Sequence, residues 1–347
     1  MHPDLEQAIN FHEAVVTEGR KALVGYEREK LITNVVLLSE IPTTYDEKAD
    51  RRVNAGNLLL RGVPGVGKTF FGVIVAAISN AKFARIQGRA DLQPNEIVGF
   101  QRINTVTGEI TTEFGPLALG EVVLLDEINR IPQKSQSGFL EALQDRTVTI
   151  GKEVYELPVF SFAIATMNPV EIGQGTFPLS EAATDRFAVL VNIKYLPPNE
   201  EQRLVQFDFK QVHLDKIMSK EKIVQLRSSI ASTIYLDPKL DKYIRRLVVA
   251  SRPYDKETHE HKFESPSDLV NRLVDLGASP RATICWGHLA KTWALLHGRR
   301  DRVYPEDIQN LAPYVLGHRI WLNPNASREN VSVEDVIDDI LEKIAIP

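Results

Sequence analysis

The octapeptide Gly62-Val63-Pro64-Gly65-Val66-Gly67-Lys68-Thr69 constrains this chain more than any other feature. It satisfies G-x-x-x-x-G-K-[ST], a spacing that a random chain of this length would produce roughly once in a hundred times. An apolar run, Asn57–Gly62, precedes it, and a helix-like stretch, Lys68–Ser79, follows it. That order of strand, glycine loop and helix is the context the motif requires. Gly65 and Gly67 permit a curl in which successive N–H groups point inward. The helix starting near Lys68 adds the positive end of its dipole. Lys68 then reaches the β/γ-phosphates of a bound nucleotide, and Thr69 offers its hydroxyl to Mg²⁺.

A second apolar run ends in two acids, Val122-Val123-Leu124-Leu125-Asp126-Glu127. Two carboxylates at the end of a strand are ordinary alone but acquire a role beside a phosphate loop. Asp126 is expected to hold Mg²⁺, directly or through water. Glu127 is expected to orient and polarise the attacking water. Asn168 ends another apolar run, where its carboxamide could bond that water or the γ-phosphate; a turn-forming Asn before Pro169 is the plainer alternative. Arg186 and Arg281 are single arginines, for which an exposed helix position is the default. The sharper alternative is a finger meeting the γ-phosphate, generally worth about 10³–10⁵ in rate. His259 and His261, two apart in a polar stretch, read as a solvated loop rather than a metal site.

Around these motifs, strand-like runs alternate with helical ones. Lys82–Gly88, Glu121–Glu127, Val159–Asn168 and Ala188–Leu196 read as strands, and Lys134–Gln144 as a helix. Such alternation predicts a parallel sheet with helices on both faces, its site at the carboxyl ends of the strands. Two segments, Ile103–Phe114 and Thr147–Leu157, alternate around Thr107-Gly108 and Gly151-Lys152 and predict projecting β-hairpins. Residues 4–39 read mostly as helix, interrupted at Gly25, and residues 41–56 as a loop. After Pro197-Pro198 the pattern is helical without convincing strands; Trp286, Leu289, Ala290, Trp293 and Leu296 share one face that stops at Gly298. The chain is therefore divided into residues 1–198, an α/β nucleotide-binding domain with N-terminal helices, and residues 199–347, an all-helical lid. Residues 252–268 read as a polar loop.

Composition narrows the function classes. The 347 residues are 43% apolar and 25% charged, ordinary for a soluble globular protein and enough for about two domains. The one cysteine, Cys285, leaves no internal disulfide. The net charge of −5 gives no basic balance toward nucleic acid. Met1–Arg20 lacks the apolar core of a signal peptide, and the longest apolar run, Phe70–Ile78, is too short to span a bilayer. The expected location is cytoplasmic, without membrane insertion.

With these residues in place, the chain resembles the MoxR-type AAA+ ATPases over roughly residues 20–250 and 275–320. LVGYE (23–27) resembles the segment contacting adenine; RIQGRADLQPNEIVGF (85–100) resembles the linker into a hairpin insert. FGPLALGEVVLLDEINRIPQKSQSGFLEALQDRTVTI (114–150) resembles the longest family signature, and ATMNPVEIGQGTFPLSEAATDRF (165–187) the stretch from sensor 1 to the arginine finger. LGASPRA (276–282) resembles sensor 2, and VYPEDI (303–308) a helix start in the lid. The resemblance implies a P-loop NTPase AAA+ core plus lid. It makes Asn168 sensor 1, Arg186 the finger acting on a neighbour's ATP, and Arg281 sensor 2. Arg130 and Arg146, in matching segments, become candidates for the subunit interface. The implied nucleotide site comprises Val24, Gly25, Gly62, Gly65, Val66, Gly67, Lys68, Thr69 and Phe70, with Thr69 and Asp126 on Mg²⁺. The implied assembly is a homo-oligomeric ring, usually hexameric, with the hairpins at its pore. Tyr26, Leu125, Met167 and Tyr304 depart from the family pattern without touching the reacting groups. Tyr304 replaces a capping Ser/Thr, a change typically worth about 1 kcal/mol.

Three functions follow. The first is a chaperone-like ATPase that remodels or activates a partner protein, such as one with a von Willebrand factor A domain, or assists metal-cofactor insertion. The second is a nucleic-acid motor, disfavoured because the hairpins carry few cations: Arg102, Arg146 and Lys152. The third is a nucleotide-switched scaffold with little turnover, disfavoured by the intact set of Lys68, Asp126, Glu127 and Asn168.

Overall fold

Each core strand alternates between two buried faces, and this period of two builds the sheet. The computed structural model describes residues 2–42, 53–54, 56–169, 176–205, 207–208, 212–253 and 265–347. Helices α1 (Pro3–Gly19) and α2 (Glu27–Leu38) lead to a short pair, β1 (Ile41–Pro42) and β2 (Val53–Asn54). The sheet strands are β3 (Leu58–Gly62), β4 (Phe83–Gln87), β7 (Val122–Asp126), β10 (Phe162–Met167) and β11 (Val189–Ile193). They run parallel in the order β11-β3-β10-β7-β4. Helices α3 (Lys68–Ser79), α4 (Pro94–Val98), α5 (Pro116–Leu119), α6 (Gln133–Asp145) and α7 (Glu181–Thr184) fill the connections.

Leu58, Leu60, Val122, Leu124, Phe162, Ile164, Val189 and Val191 face one cluster, shared with α1, α2 and α3. Leu59, Val123, Leu125, Ala163, Ala165 and Leu190 face the other, which Phe139, Leu140 and Leu143 of α6 close. Both faces are covered, as a parallel sheet requires.

The hairpins are β5 (Gly99–Ile103) with β6 (Ile110–Phe114), and β8 (Thr147–Ile150) with β9 (Glu153–Glu156). They touch through Phe114 and Tyr155, whose rings meet edge to face at 4.9 Å. The first hairpin projects: Ile103 is 62% exposed, Val106 92% and Ile110 61%.

The C-terminal part comprises α8 (Pro198–Leu204), α9 (Lys220–Thr233), α10 (Pro238–Ala250), α11 (Asp268–Leu273), α12 (Pro280–Leu296), α13 (Pro305–Leu316), α14 (Pro324–Arg328) and α15 (Val333–Lys343). Trp286, Leu289, Ala290 and Trp293 are buried in the same cluster as the first sheet face, so apolar packing runs unbroken from core to lid.

Three local expectations change. The lid contains a short antiparallel pair, β12 (Val274–Leu276) with β13 (Trp321–Leu322). Strands of two or three residues leave no period in a sequence. The segment 41–56 contains the paired strands β1 and β2; residues 43–52 and 55 lie outside the described residues, as do His259 and His261. At Tyr304 the first turn of α13 keeps half of a capping device, because Asp307 Oδ2 accepts from the Tyr304 amide at 2.8 Å.

Candidate active site

The phosphate loop joins β3 to α3. Gly65 (φ +84°) and Gly67 (φ +80°) take left-handed conformations. A Cβ on Gly67 would also lie 2.7 Å from Leu23 Cδ1, and one on Gly62 would lie 2.5 Å from the Ile193 carbonyl oxygen. Glycine is thus fixed by conformation at Gly65 and Gly67 and by close approach of β11 at Gly62. Lys68 Nζ donates to the Gly62 and Val63 carbonyls at 2.6 and 2.7 Å, so the ammonium lies against its own loop. Beside it is an apolar pocket lined by Leu23, Val24, Gly65, Val66, Gly67 and Phe70, and by Tyr195 and Leu204 from the approach to the lid. Gly25 borders it at φ +68°, where a Cβ would strike Glu200 and Leu196. Tyr26 also lines it, its hydroxyl donating to the Lys194 carbonyl at 3.0 Å.

Asp126 ends β7 and is 7% exposed. Glu127 follows in the left-handed region at φ +55°, a conformation costing a non-glycine residue roughly 1–2 kcal/mol. Thr166, on the adjacent β10, joins the two: its hydroxyl donates to Asp126 Oδ1 at 2.6 Å and accepts from the Glu127 amide at 2.9 Å. From β4 on the other side, Arg85 bonds Asp126 Oδ2 through Nε (3.1 Å) and Nη2 (2.5 Å), and Gln87 Nε2 donates to Glu127 Oε2 at 3.0 Å. Arg130 pairs with Glu127 Oε2 at 3.2 Å. Gly88 lets this edge close: its amide bonds the Asp126 carbonyl at 2.7 Å, and a Cβ there would lie 2.1 Å from the Glu127 carbonyl oxygen. Thr166, Arg85 and Gln87 lie within the matching segments 165–187 and 85–100, but nothing in those segments assigns them a role. Their position on the strands flanking β7 gives them one.

Asn168 follows β10, the strand between β3 and β7, so it emerges between the phosphate loop and the two acids. It is 3% exposed, and its carbonyl accepts from Asn129 Nδ2 at 3.4 Å.

Arg186 and Arg281 are elsewhere. They line a different cavity with Gln144, Asp185 and Arg319, and that cavity shares no lining residue with the pocket beside the loop. Gln144 Oε1 accepts from both Arg186 Nε and Arg281 Nη2, each at 3.1 Å. Arg281 also pairs with Asp185 at 3.2 Å. Burial alone would raise the Asp185 pKa, but the Arg319 guanidinium and the bonds from Ser279, Arg319 and Arg281 hold it below the ordinary carboxylate value. The structure therefore groups the core arginine with the lid arginine and leaves both apart from the loop residues. Arg146 is withdrawn from the surface: it is 7% exposed, adopts φ +62° at the end of α6, and bonds the Pro158 carbonyl. It is not a cation on a hairpin face, because the turn from α6 into β8 folds it inward. Arg130 is engaged with Glu127 of its own chain.

Residues 57–189 match the model of the ATPase family associated with various cellular activities, and residues 267–340 match an AAA lid domain. The uncharacterized protein YeaC of Bacillus subtilis is 36% identical over 84% of this chain and 86% of its own length. Chaperone MoxR1 of Mycobacterium tuberculosis is 35% identical over 85% of this chain and 75% of its own. A crystal structure from Cytophaga hutchinsonii, described as a candidate ATPase, superposes with a TM-score of 0.80 at 32% identity, covering 99% of this chain and 97% of that one. A phosphate loop, an acid pair one strand away, a helical lid and these likenesses along most of the chain agree, and the chain belongs to the MoxR family of AAA+ ATPases.

Proposed function

We propose that the chain binds Mg·ATP and hydrolyses it to ADP and phosphate as one subunit of a ring, usually hexameric, that remodels or activates a partner protein in the cytoplasm. Residues 1–198 would carry the nucleotide and residues 199–347 would act as the lid. The observation that carries hydrolysis is the setting of Glu127: one residue past buried Asp126, turned by a left-handed conformation, and held by Thr166, Gln87 and Arg130. A carboxylate fixed there can accept a proton from water, work generally worth about 10²–10⁴ in rate.

The loop fits a triphosphate. Its glycines curl the backbone, Lys68 supplies a cation at the loop, and α3 presents its N-terminus. Thr69 and Asp126 would hold the magnesium ion, which when bound neutralises charge at the β- and γ-phosphates. Val24, Val66 and Phe70 offer the base an apolar pocket, and Asn168 can bond the γ-phosphate or the water.

The separation of Arg186 and Arg281 from their own loop supports the ring reading, because arginines so placed can serve a nucleotide on an adjoining subunit. A protein substrate is favoured by the exposed Ile103, Val106 and Ile110 on the first hairpin, whose Arg102 is paired with Glu113. Arg146 is removed by burial, which leaves little to neutralise phosphates of nucleic acid. A relative named a chaperone points the same way, and a von Willebrand factor A domain is one candidate partner.

The test is steady-state hydrolysis against protein concentration, for wild type, Arg186→Ala, and an equimolar mixture of Arg186→Ala with Lys68→Ala. Specific activity should rise with concentration, collapse in each variant alone, and return in the mixture, where one subunit supplies the loop and its neighbour the arginine. Flat specific activity with an active Arg186→Ala would end the ring reading. A Glu127→Gln variant with unchanged rate would favour the scaffold.

A further inference from the structure

Arg319, just past α13, has no place in any motif, yet it makes more bonds to the Arg186 turn than any other lid residue among those described. It is 4% exposed, and a guanidinium so buried requires every donor to be satisfied. Nε donates to Asp185 Oδ1 at 2.9 Å. Nη2 donates to the Asp185 carbonyl at 3.2 Å and the Phe187 carbonyl at 2.5 Å. Nη1 donates to the Ala188 carbonyl at 3.2 Å and the Val315 carbonyl at 2.6 Å. An arginine has five N–H donors, and all but the one on Val315 converge on the four residues that contain Arg186. His318 adds a bond between Nε2 and the Phe187 carbonyl at 3.0 Å.

A residue that merely fastened lid to core would need the Asp185 carboxylate alone. Here the backbone is gripped on both sides of Arg186. The core adds its own holds, with Gln144 Oε1 and the Ala182 carbonyl on the Arg186 guanidinium and the Ala188 amide on the Asn57 carbonyl, but α7 is a helix of four residues ending at Thr184, too short to be stable unaided. From the lid, Ser279 Oγ bonds both Asp185 oxygens at 2.9 and 2.8 Å.

We propose that Arg319 is a positioning residue for Arg186: the lid fixes the direction in which this core arginine leaves the subunit. The proposal rests on the reading that Arg186 serves a neighbour's nucleotide. It makes Arg319 of one subunit part of the hydrolysis site of the next, although Arg319 itself does not touch that nucleotide.

Arg319→Lys tests it. Lysine keeps the charge opposite Asp185 but replaces a planar five-donor fork with a compact ammonium. Binding of a fluorescent ATP analogue to the variant's own loop should stay within about twofold of wild type, while hydrolysis falls at least about tenfold. The decisive readout is an equimolar mixture with Lys68→Ala subunits, which have an intact arginine turn. Turnover should then rise at least about threefold above the average of the separate samples, since an Arg319→Lys loop next to an intact arginine works again. A subunit damaged only in its fold gains nothing from such a neighbour. Wild-type hydrolysis in Arg319→Lys overturns the proposal. So does a slow variant that the mixture does not restore while Arg186→Ala with Lys68→Ala is restored. If neither mixture is restored, the neighbour reading fails and this one falls with it. Should Arg319→Lys lose its cooperative melt, Ser279→Ala replaces it, removing one hold on Asp185 while the Arg319–Asp185 ion pair stays in place. A rate loss of about threefold with the same restoration is then expected, and an unchanged rate counts against the proposal.

Discussion

The phosphate loop and the Arg186 turn, both proposed to act on phosphate, are built in opposite ways. The loop is a local object: eight consecutive residues supply its curl, its cation and its helix terminus. The arginine turn is assembled from Gln144 and Asp185 at the ends of two core helices, from Ser279 and Arg281 at the start of α12, and from Arg319 just past α13. The first depends on backbone conformation and the second on lid docking. Damage to the loop should therefore abolish nucleotide binding, whereas damage to the turn should spare binding and slow turnover.

The largest expected effect keeps the two regions apart. Arg186→Ala should lower the hydrolysis rate by about 10³-fold, measured at saturating ATP, with nucleotide affinity nearly unchanged. Lys68→Ala should lose measurable binding in the same titration. If Arg186→Ala weakened binding as strongly as Lys68→Ala, the two regions would be one site and the comparison would break.

Next comes Glu127→Gln, expected to slow hydrolysis by about 10²-fold or more while ATP binding and assembly persist. A light-scattering measurement with ATP, run beside a phosphate-release assay, separates these quantities. Loss of assembly together with turnover would show that the acid does more than activate water.

The same contrast explains what a linear sequence discloses. The sheet strands were legible because Leu58 to Leu60 or Val122 to Leu125 alternate between two buried clusters, and the helices because their apolar faces are long. Gly62–Thr69, Asp126 and Glu127 were legible because their chemistry lies in short runs. Thr166, Arg85 and Gln87 were not, since they meet the acids only through neighbouring strands, and sheet order is a long-range property. Arg319 stands 133 positions beyond Arg186, and only docking of α13 against β11 brings it near. Arg146 looked like a hairpin cation because a left-handed residue at a helix end is invisible to periodicity.

A smaller effect sharpens the local side. Thr166→Val removes a fully buried hydroxyl and leaves the Asp126 carboxylate and the Glu127 amide each short of a bond. The expected cost is about 1–3 kcal/mol of stability, read from the denaturant midpoint, with a fall in the hydrolysis rate because Glu127 loses a support. Stability unchanged but rate reduced would mean that Thr166 serves only to aim the acids.

The mildest effect concerns how the lid is docked, on the α1 side of the molecule. His12 is half-buried, and its Nδ1 lies 2.9 Å from Asn34 Nδ2, with His297 of the lid contributing like charge. Burial first, and His297 second, lower its pKa to about 4 from the ordinary 6.5. The folded state therefore resists protonation that the unfolded chain accepts. Stability from this source is complete above about pH 6.5, declines as the pH falls, and levels off below about pH 4. A loss of about 2 kcal/mol across that window is expected. Asp185, held below the ordinary carboxylate value of 3.8, contributes its own loss only at lower pH. Melting curves between pH 7 and 4.5 for wild type and His12→Gln provide the check. The wild-type melting temperature should fall more steeply than that of the variant, because glutamine has no proton to gain. Parallel slopes would assign the acid sensitivity to other groups. A steeper wild-type slope accompanied by loss of hydrolysis before loss of nucleotide binding would show that loosening the lid disables the arginine turn before it disturbs the loop.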